Sequence, residues 1–281
     1  MKKKILVPTD FSLAAQSAYW YACELARVYD ATLELIYVYN EAFPPSNIPN
    51  LNAEGNIQGQ IKEQLKAFAE NYPHQAGDNL LIRTAVNTRV VPGVPVSTLS
   101  RLSEQDDVFM IVMGATGSHG AADRLFGSVS SGLAQRAFCP VMLIPEQARY
   151  EEFEQILYAT NFESADSLML HQIIDFANIF RSALHFVHIE NDKNQEDFNF
   201  TEDLIMKQLM DKGSPAFSFN MHTVADVSVL EGLHQYAATN EVQLIVLANR
   251  QRSLLESLLG QSMTKKMALR IKYPMLVYHM I

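Results

Sequence analysis

Residues 111–131 read IVMGATGSHGAADRLFGSVSS, and this run decides the fold. Its first four residues end DDVFMIVMG, whose unbroken apolar core suits a strand buried on both faces. Gly114 and Gly117 follow with two residues between them, and nine more separate Gly117 from the Gly127-Ser128 pair. Beyond Gly127, Val129, Leu133 and Ala137 share one face of an expected helix, Ser128–Phe138, so Ser128, Val129 and Ser130 stand in its first turn. Glycine permits positive φ and lets an anion approach main-chain N–H groups, while a helix start offers unpaired donors and partial positive charge. Strand, bare loop and hydroxyl-bearing helix start are together the parts of a phosphate cradle. Two glycines alone would suit a tight turn and a C-cap; three, with hydroxyls, directly after an apolar strand favour the cradle.

Outward from that run, strand and helix patterns alternate. Lys4 to Val7 reads as a strand closed by Pro8, Thr9 and Asp10, and Ser12 or Asp10 is placed to cap a helix that follows. Thr32 to Tyr39 is a second strand, Ile61 to Asn71 a helix, Leu80 to Val86 a third strand and Val96 to Ser103 a short helix. Pro140 to Pro145 closes the set. Such alternation predicts an α/β fold, a parallel sheet with helices on both faces.

The pattern then recurs. FEQILYATNF at 153–162 repeats KKILVPTDF, ALHFVHIE follows as TLELIYVY did, VQLIVLAN matches VFMIVMGA, and YPMLVYH matches CPVMLIP. Asp10 and Asn161 stand 151 positions apart and Pro140 and Pro274 stand 134 apart, so the second copy is shorter by 17 residues. Most of that loss falls on the proline-bearing connection after the second strand. A tandem duplication is expected, with domains at 1–147 and 151–281.

Composition narrows the function classes. A formal charge of −9 and no recognisable motif argue against nucleic-acid binding, and no run of eighteen apolar residues supports a membrane span. The start, MKKKILVPTD, holds a three-residue apolar run, far short of a signal-peptide core, so a cytoplasmic location is expected. Cys23 and Cys139 read as buried free thiols in apolar helical settings. His185 and His188, three apart on a strand, point to opposite faces and lack metal spacing.

Ligands of open parallel sheets sit beyond the strands' carboxyl ends, where strand order reverses. Asp10, Val38 and the Gly114 loop all fall at such ends, within reach of one ligand if the first and fourth strands are neighbours. Asp10 then faces a base or sugar, or caps the helix; the two roles need not exclude each other.

ILVPTDFS, the GxxG-nine-GS spacing and CPVMLIP together resemble the universal stress protein family, as a tandem two-domain member. The resemblance implies two open five-stranded parallel-sheet domains of the adenine-nucleotide alpha hydrolase (Rossmann-like) type. It implies ATP, with or without Mg2+ or Mn2+, held by one pattern. In that pattern Pro8, Thr9 and Asp10 meet adenine and ribose, and Val38 meets adenine through its backbone. Met113, Gly114 and Gly117 form the phosphate loop, and Gly127, Ser128, Val129 and Ser130 close over the phosphates. The second half departs from it: Ala159, Thr160 and Asn161, then Ala248, Asn249, Arg250 and Gln251, put side chains where bare backbone stood, with Gly260 alone near the third glycine. Arg250 or Arg252 could still attract an anion through charge. One ATP per chain is expected, with the halves pairing internally through Val141–Ile144 and Met275–Tyr278 and a homodimer as further association.

No GxxxxGK[ST] loop occurs, so phosphate would be held by N–H groups and hydroxyls. The expectation is an ATP-binding stress-response regulator rather than an enzyme. A slow ATPase, or a scaffold that ignores nucleotide, is the alternative; His119, Asp123 and Arg124 read as surface residues of the loop.

Overall fold

A computed structural model describes residues 3–40, 56–71, 85–117, 126–146, 148–160, 167–190, 218–225, 228–248 and 272–279. The chain divides into two compact units, Met1–Tyr150 and Glu151–Met280.

In the first unit, the described elements are β1 (Lys4–Pro8), α1 (Leu13–Tyr29), β2 (Thr32–Tyr39), α2 (Ile57–Glu70), β3 (Val86–Pro92), α3 (Pro95–Leu102), β4 (Val108–Gly114), α4 (Ser128–Arg136) and β5 (Val141–Ile144). The strands lie in the order β3-β2-β1-β4-β5, all parallel. β1 and β4 occupy the middle, which is why ILV and MIV are continuous apolar runs: Ile5, Leu6, Val7, Ile111 and Val112 have no exposed surface. Each such side chain contributes about 1.5–3 kcal/mol by leaving water.

Strand order runs one way from β1 to β3 and the other way from β4 to β5. Right-handed crossovers therefore put α1 and α2 on one face and α3 and α4 on the other. Packing follows that division. Tyr19 donates its hydroxyl to the Ala69 carbonyl, joining α1 to α2, and Ser100 donates to the Arg136 carbonyl, joining α3 to α4. A β-carbon on Gly132 would lie 2.8 Å from a Val96 methyl, so α4 rests on α3 through bare backbone.

The second unit repeats this plan with β6 (Gln155–Ala159), α5 (Ser167–Phe180), β7 (Ala183–Glu190), β8 (Phe219–Ala225), α6 (Val229–Thr239), β9 (Leu244–Ala248) and β10 (Met275–Tyr278). Its parallel order is β8-β7-β6-β9-β10. Duplication reaches individual backbone bonds. Thr9 N–H donates to the Ile36 carbonyl as Thr160 does to Val187, and Ile111 donates to Pro140 as Ile245 does to Pro274. α1 and α5 end alike, with Asp30 at φ 47° and Arg181 at φ 55° turning the chain, and with Ala31 and Ser182 donating to Ala26 and Ala177.

Three sequence expectations need correction. The third strand is not Leu80–Val86: β3 begins at Val86, and residues 80–84 lie outside the described residues. β3 is an edge strand with alternating half-buried and exposed residues, so NTRVVP forms it without an apolar run. Cys139 is buried as expected, yet in the turn before β5 rather than in a helix. Burial pushes both thiols up to about 12, so neither is a nucleophile. The helix expected over Ile61–Asn71 begins earlier, at Ile57, because Asn56 caps it by accepting from Gly59 N–H.

Candidate functional site

β1 and β4 are adjacent, and their connections leave toward opposite faces of the sheet. Among the described residues, no helix or strand fills the gap that this opens beyond their carboxyl ends. A cavity of about 570 Å³ occupies it, within the range of small-molecule sites. All eleven residues named from sequence line it: Pro8, Thr9, Asp10, Val38, Met113, Gly114, Gly117, Gly127, Ser128, Val129 and Ser130.

On the β1 side the chain must turn sharply from strand to helix. Thr9 Oγ1 accepts from Phe11 N–H at 3.0 Å and Asp10 Oδ1 accepts from Ser12 N–H at 3.1 Å, while Ser12 caps α1 through Ala15 N–H. Ser12 is thus the cap, and Asp10 shapes the turn before it. Phe11 adopts φ 63°, costly for a residue with a side chain, and its ring is held by stacking on Tyr37 at 4.9 Å and edge packing on Phe68 at 5.6 Å.

On the β4 side, bare backbone lets separate elements meet. A β-carbon on Gly114 would fall 2.9 Å from the Ala14 carbonyl carbon, so the end of β4 touches the first turn of α1. A β-carbon on Gly117 would fall 2.9 Å from Asp10 Oδ2. Asp10 therefore lies against the glycine loop itself rather than at a pole remote from it.

Gly127 is the N-cap of α4, in extended conformation, with no side-chain cap and no acidic residue in the first turn. Its N–H is used by the Ala115 carbonyl at 2.8 Å. The first-turn N–H groups of Ser128, Val129 and Ser130 lack intrahelical partners, and the helix end carries partial positive charge. Ser128 is exposed to the cavity mouth, whereas Ser130 is 2% exposed and donates its hydroxyl to the Ala115 carbonyl at 2.7 Å. Among the described lining residues there is no lysine, arginine or histidine, so an anion here would depend on backbone donors and hydroxyls.

Sequence reasoning missed the apolar wall formed by Ala15, Ile36, Tyr37, Pro95 and Leu99. The Gly93-Val94-Pro95 step after a strand carried part of that signal. Gly93 has φ 144°, Pro95 stands in the first turn of α3, and Leu99 follows four residues later on the same face. His119, Asp123 and Arg124 lie outside the described residues.

The second unit keeps the backbone frame of both strand ends and changes the residues on it. Thr160 N–H reaches Val187, but the next position along β7 is His188 in place of Tyr37, with Nδ1 3.0 Å from the Thr160 carbonyl. Ala248 ends β9, paired with Tyr278, as Gly114 ends β4, paired with Ile144. Asn161, 249–252 and Gly260 lie outside the described residues. No three His, Cys, Asp or Glu side chains gather as metal ligands among the described residues.

Comparison with known proteins agrees in both halves. The sequence pattern of the universal stress protein family matches residues 1–145 and again 152–279. A universal stress protein of Methanocaldococcus jannaschii is 30% identical over 145 residues, half of this chain and 81% of that protein. One from Mycobacterium tuberculosis is 30% identical over 195 residues, 64% of this chain and 62% of its own length. A solved universal stress protein from Archaeoglobus fulgidus superimposes with a TM-score of 0.66 at 16% identity, covering 98% of each chain, a likeness of fold. With two matches that together span nearly its whole length, the chain belongs to the universal stress protein family.

Proposed function

We propose that the first unit binds one adenine nucleotide, ATP, and that the chain acts as a nucleotide-dependent regulator rather than as a catalyst. The observation that carries this reading is the uncapped N-terminus of α4, which lines one cavity with Gly114, Gly117 and an apolar wall. Phosphates suit the donor-rich side, and a planar base suits Pro95, Leu99, Val38 and the strand ends opposite. In this reading Asp10 accepts from a sugar hydroxyl. Because its carboxylate lies beside the glycine loop, Mg2+ or Mn2+ accompanying the phosphates would relieve its repulsion of them.

The second unit carries His188 and Ala248 where the first has Tyr37 and Gly114, which supports one nucleotide per chain. In this reading it serves as the internal partner of the first, each repeat ending in a short apolar strand. A bound nucleotide changes the surface offered to a partner protein, in the cytoplasm and in a single chain or a homodimer. No described helix is long and apolar enough to cross a membrane.

Calorimetric titration with ATP tests the proposal. The expected stoichiometry is one per chain, with binding weakened at least tenfold in Gly117→Val and accompanied by a rise in Tm that grows with ATP concentration. A stoichiometry near two, or no thermal shift at millimolar ATP, would count against it.

A further inference from the structure

We propose that Ser130 is a positioning residue: its hydroxyl clasps the two ends of the glycine loop and does not contact the ligand, leaving Ser128 as the hydroxyl that does. This inference takes from the nucleotide reading only what the cradle holds.

The hydroxyl proton of Ser130 is committed, to Ala115 O at 2.7 Å and more weakly to Gly127 O at 3.0 Å, and its side chain is buried. Ala115 is in turn fixed to the sheet, since its N–H donates to the Ile144 carbonyl at 2.8 Å. The same Ala115 carbonyl accepts Gly127 N–H at 2.8 Å. One carbonyl, anchored on β5, therefore gathers both the cap and the third residue of α4. This clasp joins the point where the chain leaves β4 to the point where it enters α4. As a result Gly117 N lies 3.5 Å from the place a β-carbon on Gly127 would occupy. The direction of the first-turn N–H groups, on which an anion depends, is set by that bond.

Removing the hydroxyl leaves Ala115 O with its Gly127 donor, so no buried acceptor is orphaned and the fold should persist. What is lost is the hold on the first turn of α4.

The test compares ATP with adenosine in the full chain. Ser130→Ala is expected to weaken ATP binding about five- to tenfold, the worth of one hydrogen bond, and to leave adenosine binding within about twofold. Ser130→Thr, which keeps the hydroxyl, should return ATP affinity toward the parent value. Ser128→Ala should also weaken ATP. The two serines separate by amide hydrogen exchange, which should quicken at Gly127 in Ser130→Ala and stay unchanged in Ser128→Ala. Unaltered ATP affinity in Ser130→Ala, an equal loss of ATP and adenosine, or unchanged exchange at Gly127 would overturn the proposal. If the parent chain binds no ATP, the nucleotide reading falls, and exchange at Gly127 alone decides the role of Ser130.

Discussion

Gly114 and Gly117 look alike in sequence and do different work. A side chain on Gly114 would meet the backbone of Ala14 at 2.9 Å, and backbone cannot step aside without shifting α1 from β4. Gly114→Ala is therefore expected to destabilise the first unit by about 1–3 kcal/mol, read as a lower urea midpoint. Among the described residues, a side chain on Gly117 would meet only the tip of Asp10. Gly117→Ala should thus leave the midpoint nearly unchanged while displacing the Asp10 carboxylate and weakening ATP binding, measured by calorimetry. Equal losses of stability in both variants would refute this division. Sequence spacing singled out both glycines, but not which one serves packing, because that depends on Ala14 and Asp10 crossing over from another strand. The same holds for Phe11. Nothing local marks it for positive φ, and the rings that hold it come from β2 and α2.

Elements were legible where burial is symmetrical and poorly legible where it is not. β1, β2 and β4 announce themselves as apolar runs, and α3 and α4 as strand exits followed by proline or glycine. β3 does not, since an edge strand needs only every second residue apolar, and its neighbour Leu80–Val86 is the more hydrophobic segment. Helix ends show a similar limit. α5 stops at a non-glycine left-handed residue, Arg181, with an exposed side chain and φ 55°. Glycine adopts this conformation without a β-carbon penalty, so Arg181→Gly is expected to stabilise the second unit by about 0.5–1 kcal/mol and raise its Tm by a few degrees. A lower Tm in that variant would show that the arginine side chain contributes more than its backbone costs.

For the whole chain, the two units should respond differently to acid. In the second, burial and then the neighbouring His222 hold the His185 pKa down, while burial and then Lys272 do the same for His234. His185 is satisfied as a neutral ring, with Nδ1 2.9 Å from the Tyr236 hydroxyl and Nε2 2.7 Å from Gln155 Oε1. Both groups bind a proton less readily folded than unfolded. Their contribution is complete above the unfolded histidine value of about 6.5 and is lost as pH falls below it. The urea midpoint of the second unit should drop between pH 7.5 and 5.5, and His185→Gln should flatten that drop; a midpoint indifferent to pH over this window would contradict the reading.

The methyl of Ala248 marks where the two repeats part. Where the first repeat closes its helix onto glycine, the second has a β-carbon at the same strand end, and that carbon forbids a 2.9 Å approach. Ala248 stands at the place of the first glycine of GxxG, so restoring that pattern in the second unit begins with this residue. Ala248→Gly alone would still leave Gln251 where the first unit has Gly117. The two repeats thus share a strand plan and part company at its exits, where one methyl group fills space that the first unit leaves as bare backbone.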